Sequence, residues 1–332
     1  PATSAAPVLD ASAWVVIAPG PAAGPGHGSL VVRALGEGVL AEELRLGVQR
    51  NGRIVDATAT ALSLNDDRVR GSAAVVVVVD DTIGRREELI RGLNELTTAL
   101  LAGRHALQVV TVGGGGGRCG PLVHGVADEA RAAFEDCVRA ALGGNTNASP
   151  ILDRLEEALS LLQQFPAAAH REVFIVSDGV DEPTRDRPDE RERRIAALIE
   201  RATRAGTPIS AWYGDAGGTA DATTRDWRMA GRRLLASLAA ESRGVSGTFD
   251  AATFATQASA AVDRLRIVPL PCSDGAAPDG AGYSVASSVA LLARASETQL
   301  SGSLAAQLGC GQTRLWCADG GAGVAGCWLR GA

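Results

Sequence analysis

Three short stretches place oxygen-bearing side chains at the ends of expected strands or at the start of an expected helix. The first is Asp80-Asp81-Thr82-Ile83-Gly84, directly after a run of five valines at 75–79. The second is Gly143-Gly144-Asn145-Thr146-Asn147, ahead of a helical pattern, with Leu152 six residues past Thr146. The third is Ser177-Asp178-Gly179, with Asp181 close behind. Asp80 and Asp178 offer carboxylates, and Thr82 and Thr146 offer hydroxyls. Taken singly, each stretch has an ordinary explanation. Asp-Gly is a common turn, and Asp80, Asn145 or Thr146 would serve as helix caps.

Other chemistries fit the sequence less well. It contains no Lys, so its 32 basic residues are all Arg, a balance that a GC-rich bacterial genome encodes. A phosphate-loop lysine, a Schiff-base lysine and a Ser–Lys pair are therefore excluded. Histidine is scarce, with His27, His105, His124 and His170, and none falls at the end of an expected strand. No Gly-x-Ser-x-Gly elbow occurs. The glycines at 113–117 follow an apolar run, but Arg118-Cys119-Gly120-Pro121 separates them from the next helix. A dinucleotide loop must open its helix directly, so this is a flexible loop. The expectation is a binding protein and not an enzyme.

The elements that must position these residues show in the periodicity. The run 75–79 is continuously apolar, as in a central strand covered on both faces. Leu89, Leu93, Leu96 and Leu100 follow at helical spacing. Runs at 107–112, 173–176 and 208–213 read as further buried strands, with helical patterns between them. Alternating strands and helices imply right-handed crossovers and a doubly wound, mainly parallel α/β sheet. Ligands of such sheets sit beyond the carboxyl ends of the strands. The flanks read differently. Leu44, Leu46 and Val48 alternate, and Asn51-Gly52 marks a hairpin. Residues 19–28 form a loop, 283–293 a strand, and 310–328 a stapled hairpin region. The expected division is an N-terminal β region at 1–72, the α/β domain at 73–267 and a C-terminal β region at 268–332. The two β regions make either two small domains or one β-sandwich with the α/β domain inserted, and insertion is favoured because neither flank is long enough for a good sandwich alone.

At 332 residues and 46% apolar, the chain can bury a large core. A net charge of −6 without a basic stripe argues against nucleic acid. No apolar run reaches the roughly 18 residues that a membrane span requires. The start at Pro1 suggests processing or trimming. The six cysteines, Cys119, Cys137, Cys272, Cys310, Cys317 and Cys327, include no Cys-x-x-Cys pair. Disulfides in an oxidising compartment fit better than zinc, and six cysteines allow fifteen pairings. A bond between Cys119 and Cys137 would tie down the loop before the next helix.

In joint order these stretches resemble the von Willebrand factor A (vWA) family over about residues 73–265. That family places Asp-x-Ser-x-Ser after its first strand, a Thr at the start of a central helix and an Asp-Gly after its fourth strand. The closing segment 234–250 is also similar to the family's last helix and short strand. The resemblance implies a metal-ion-dependent adhesion site, with Asp80, Thr82, Thr146 and Asp178 around Mg²⁺ or Ca²⁺. Asp81, Gly84, Asn145, Asn147, Gly179 and Asp181 would form its rim. It also implies a protein partner that completes the metal shell with an acidic side chain, and a secreted, periplasmic or bacterial cell-surface location. Thr82 keeps the hydroxyl of the first motif Ser. Gly84 has no side chain to replace the second. A metal-free structural or assembly component of a surface complex is therefore the alternative.

Overall fold

The computed structural model describes residues 72–113, 117–143, 149–215 and 222–271, the strands named below in the flanks, and residues 64–66 and 69. Five strands open the chain: β1 (Trp14–Pro19), β2 (His27–Ala34), β3 (Glu43–Arg50), β4 (Arg53–Thr60) and β5 (Leu62–Ser63). Next come β6 (Ala73–Val79), α1 (Arg86–Ala102), β7 (Ala106–Thr111), β8 (Arg118–Leu122), α2 (Asp128–Ala141) and α3 (Ile151–Leu161). They are followed by β9 (His170–Ser177), α4 (Pro188–Ala205), β10 (Ile209–Tyr213), α5 (Ala222–Ser242), β11 (Ser246–Thr248) and α6 (Phe254–Asp263). The last strands are β12 (Leu265–Pro271), β13 (Gly282–Ser284), β14 (Arg314–Ala318) and β15 (Gly326–Arg330).

Contacts divide the chain into two units, one of Pro1–Arg70 with Arg264–Ala332 and one of Gly71–Asp263. In the first, β12 runs antiparallel to β2 and β5, and β3 pairs with β4 and β13. The hairpin expected at Asn51-Gly52 joins β3 to β4, with Arg50 opposite Arg53. Strands β14 and β15 pair so that Cys317 lies opposite Cys327. The periodicity of Phe254, Ala258, Ala261 and Leu265 predicts one helix that includes Leu265. That helix stops at Asp263, and Leu265 opens β12.

The second unit holds a six-stranded sheet in the order β11-β10-β9-β6-β7-β8. All neighbours are parallel except β8, which is antiparallel to β7. This is the doubly wound α/β sheet expected from the alternation of elements. Strand β8 was expected as loop. Its Gly and Pro mask the strand pattern, and only the residues that pair with β7 define it.

Strand β6 is the sheet's buried centre, and none of its seven residues reaches solvent appreciably. Alternate side chains go to opposite faces. Ala74, Val76 and Val78 pack with Leu152, Leu155, Leu198, Leu235 and Leu238 of α3, α4 and α5. On the other side α1 packs with α6. There Phe174, Trp212, Phe254 and Phe249 stack edge to face, with centroids 5.1, 5.2 and 5.4 Å apart. Gly92 of α1 makes room for them, since a Cβ there would lie 3.2 Å from Phe254.

A buried polar network crosses the amino ends of these strands. The His105 Nδ1 accepts from the Ala73 N–H at 3.2 Å, so the ring is neutral with its lone pair at Nδ1. The Glu172 carboxylate contacts His170 Nε2 at 2.9 Å and accepts from the Ser210 hydroxyl at 2.5 Å. Burial, and then His170, push His105 down to about 4 from 6.5. A base with a lowered folded pKa leaves stability intact above the unfolded value. Stability then falls with the pH until the folded ring also protonates. The loss between pH 6.5 and 4 should approach about 3 kcal/mol. Denaturant unfolding in this pH window is expected to show it, and His105→Gln should flatten that part of the curve.

Candidate functional site

Strands β6 and β9 flank the point where the strand order reverses, which is where open α/β sheets bind ligands. Backbone bonds hold the strand ends level: Asp80 N–H donates to Val176 O at 2.9 Å, and Gly214 N–H to Ser177 O at 2.8 Å. Asp80 is fully buried where β6 ends. Its Oδ1 accepts from the Thr82 N–H at 3.1 Å and the Thr82 hydroxyl at 2.6 Å. Its Oδ2 accepts from the Ser177 hydroxyl at 2.7 Å and the Ser149 hydroxyl at 3.0 Å. One carboxylate thus gathers three loops. The 3₁₀ turn Asp81–Ile83 is capped by Asp80 and anchored by the buried Ile83.

Asp178 lies beside this cluster and accepts from the Val180 N–H at 2.9 Å. Its carboxyl is pushed up to about 6, chiefly by burial and further by the charges of Asp80 and Asp215, against the pull of that N–H and of Arg228. Asp81 is raised too, again mainly by burial. Its Oδ1 accepts from the Gly113 N–H at 2.7 Å, while its buried Oδ2 has no hydrogen-bond partner.

The expected site residues divide as follows. Asp80, Thr82 and Asp178 come together. Thr146, Asn145 and Asn147 lie outside the described residues. The hydroxyl that reaches Asp80 from that segment belongs to Ser149, two positions before the first residue of α3. Ser177 was quoted in the motif without a role, and it too binds Asp80.

One rim assignment needs correction. Asp181 is only 2% exposed. Its carboxylate accepts from Leu152 N–H at 3.1 Å, Thr184 N–H at 3.2 Å and the Thr184 hydroxyl at 2.5 Å, so it caps α3 and the following turn and cannot contact a partner. Gly84 sits at φ +71° and closes the Asp81–Ile83 turn with its N–H on Asp81 O. The left-handed conformation explains the glycine, because a Ser there would be strained. Gly179, at φ +76°, is tight against α5: a Cβ on it or on Gly231 would overlap the other's backbone.

In its strand order, and in placing Asp80 and Asp178 at strand ends with the Ser149 hydroxyl on Asp80, the α/β unit has a vWA-like fold. No family model matches the chain, and no curated protein matches it. Solved structures do. One is a von Willebrand factor type A protein from Catenulispora acidiphila, with TM-score 0.42 and 16% identity over 76% of this chain and 51% of that one. Another is an aerotolerance-related membrane protein from Bacteroides fragilis, with TM-score 0.40 and 12% identity over 57% and 96%. A third is the pilus adhesin SpaC from Lactobacillus rhamnosus GG, with TM-score 0.41 and 10% identity over 72% and 32%. This chain therefore spans about half of the first and a third of the last.

The donor set itself tests whether a cation fits. Among the described residues no three His, Cys, Asp or Glu side chains converge as ligands, so hydroxyls must make up part of any shell. Thr82 and Ser149 both give their protons to Asp80, which leaves their lone pairs available. Few carboxylates and some hydroxyls suit Mg²⁺ better than Ca²⁺, which takes more oxygens, or Zn²⁺, which prefers N and S. Asp178, held near 6 by burial and by Asp80, would gain from a neighbouring positive charge. The residues present fit a small hard cation.

Proposed function

We propose that the carboxyl edge of the α/β sheet is a protein-binding surface centred on a divalent cation, in an extracytoplasmic bacterial adhesion protein that is not an enzyme. The observation that carries this reading is the pair of hydroxyls, from Thr82 and Ser149, that both donate to the buried Asp80 carboxylate. Asp80, Thr82, Ser149 and Asp178 would hold the cation, with water in the remaining places. The cation would supply an electrophilic anchor for a carboxylate of the partner. Asp80 orients the two hydroxyls, Ser177 fixes Asp80, and Val180 N–H fixes Asp178.

The disulfide between Cys119 and Cys137 supports the location, since such bonds persist in oxidising compartments. Among the described residues no helix is long and apolar enough to cross a membrane.

Calorimetric titration with Mg²⁺, Mn²⁺ and Ca²⁺ tests the cation. Mg²⁺ and Mn²⁺ are expected to bind, and Asp178→Asn is expected to abolish their heats while leaving the fold intact by circular dichroism. Silence with all three ions would sink the reading. A metal-free assembly role is the second reading, and it draws on Gly84, whose backbone conformation leaves one fewer hydroxyl in the loop. It requires partner binding that survives chelation.

A further inference from the structure

Helix α5 carries a feature that the cation does not use. Arg225, Arg228, Met229 and Arg232 recur at the spacing of one helical face. With Tyr213, Asp215 and Asp226 they line a cavity of about 530 Å³. Met229 is the chain's only methionine and is 52% exposed. An exposed, adaptable thioether inside a charged cavity suits an apolar side chain from outside. The Arg232 guanidinium lies 5.7 Å from the Tyr213 ring centroid, and Arg228 pairs with Asp215 at 3.1 Å. The cavity adjoins the candidate cation site. Asp215 follows closely on β10, and the α5 backbone at Gly231 lies directly against Asp178 and Gly179.

We infer that this cavity receives an acidic segment of the partner protein, with a carboxylate on Arg232 and a neighbouring apolar side chain against Met229 and Tyr213. The inference deepens the proposed function and rests on it in one respect: a second carboxylate of the same segment reaches the cation. Asp215 and Asp226 in the lining, with a net charge of −6 for the chain, disfavour a dense polyanion such as nucleic acid. Three arginines against two aspartates favour a sparsely charged acidic peptide, and arginine pairs well with carboxylates.

Fluorescence anisotropy on the full chain tests this, with a labelled Gly-Asp-Leu-Ser-Asp-Gly peptide as the probe, in Mg²⁺ and in chelator. The peptide should bind in Mg²⁺, and Arg232→Gln should weaken it by about tenfold. Met229→Ala should weaken it less, and Arg193→Gln, on the exposed face of α4, should not change it. Arg232→Gln should leave the Mn²⁺ titration unchanged, which separates the cavity from the cation. Binding that ignores chelator yet falls in Arg232→Gln supports the cavity and overturns the cation. Binding that needs Mg²⁺ yet ignores Arg232 overturns the cavity and keeps the cation. No binding of the peptide, or tighter binding of a labelled oligothymidylate, also overturns the cavity.

Discussion

Replacing Asp80 by Ala is expected to lower the free energy of unfolding by about 4 kcal/mol and to remove cation binding altogether. The carboxylate is fully buried and accepts four hydrogen bonds, from Thr82 twice and from Ser149 and Ser177. Hydrogen bonds to a charged group contribute about 1.5–3 kcal/mol each, and buried donors left unpaired cost about 1–3 kcal/mol. The hydroxyls can turn toward other acceptors, so the total falls well short of the sum. Asp80→Asn keeps the volume but offers one acceptor oxygen in place of two, and it should cost about half as much. Ser149→Ala removes a single donor and should cost about 1 kcal/mol. Urea unfolding in chelator measures all three without a contribution from bound metal. A fall of under about 1 kcal/mol for Asp80→Ala would mean that the three loops hold their places without it.

Gly231→Ala is expected to cost about 3 kcal/mol, although Ala is the better helix former by about 1 kcal/mol. A Cβ at this position would overlap the Asp178 carbonyl oxygen and come within 2.9 Å of the Gly179 carbonyl carbon. Those atoms are backbone, so relief requires α5 to move off the turn. The exposed Ala236 on the same helix makes the contrast: Ala236→Gly should cost only the propensity difference, about 1 kcal/mol. Denaturant midpoints measure both. Calorimetry with Mn²⁺ on the folded fraction should also show weakened binding in Gly231→Ala, because the displaced turn carries Asp178. Equal stabilities for Gly231→Ala and the parent would show that the helix yields freely.

The central part of the fold was legible because it follows from simple patterns. Five successive valines leave no polar face, so their strand must lie between two layers, and it does. The loops after β6 and β9 could then be located without coordinates. The hydroxyls gathered by Asp80 were only partly legible. Thr82 is two residues from Asp80 and bonds to it locally, so it falls within the same short stretch of sequence. Ser149 is 69 residues away and depends on how its loop packs, which no local pattern encodes. Asp181 was misjudged for a related reason. A carboxylate among charged residues reads as solvated, yet this one is drawn inward by the free N–H groups that begin α3. Gly231 looks in sequence like a weak point of a long helix. The residue that explains it, Gly179, lies on another element.

The Asp181 cap has a consequence for binding kinetics. Asp181 holds Leu152, and the next residue, Glu182, donates its N–H to the Ser149 carbonyl at 3.1 Å. Ser149 is therefore fastened through its backbone by one loop while its hydroxyl serves another. These bonds are made entirely within the protein, so the backbone of Ser149 is held without any ligand. In the proposed binding role, association would carry little ordering cost at this point. Differences in affinity among partners should appear as differences in residence time. Amide exchange in the turns at 80–84 and 177–184 should be slow in chelator and barely slower with Mg²⁺.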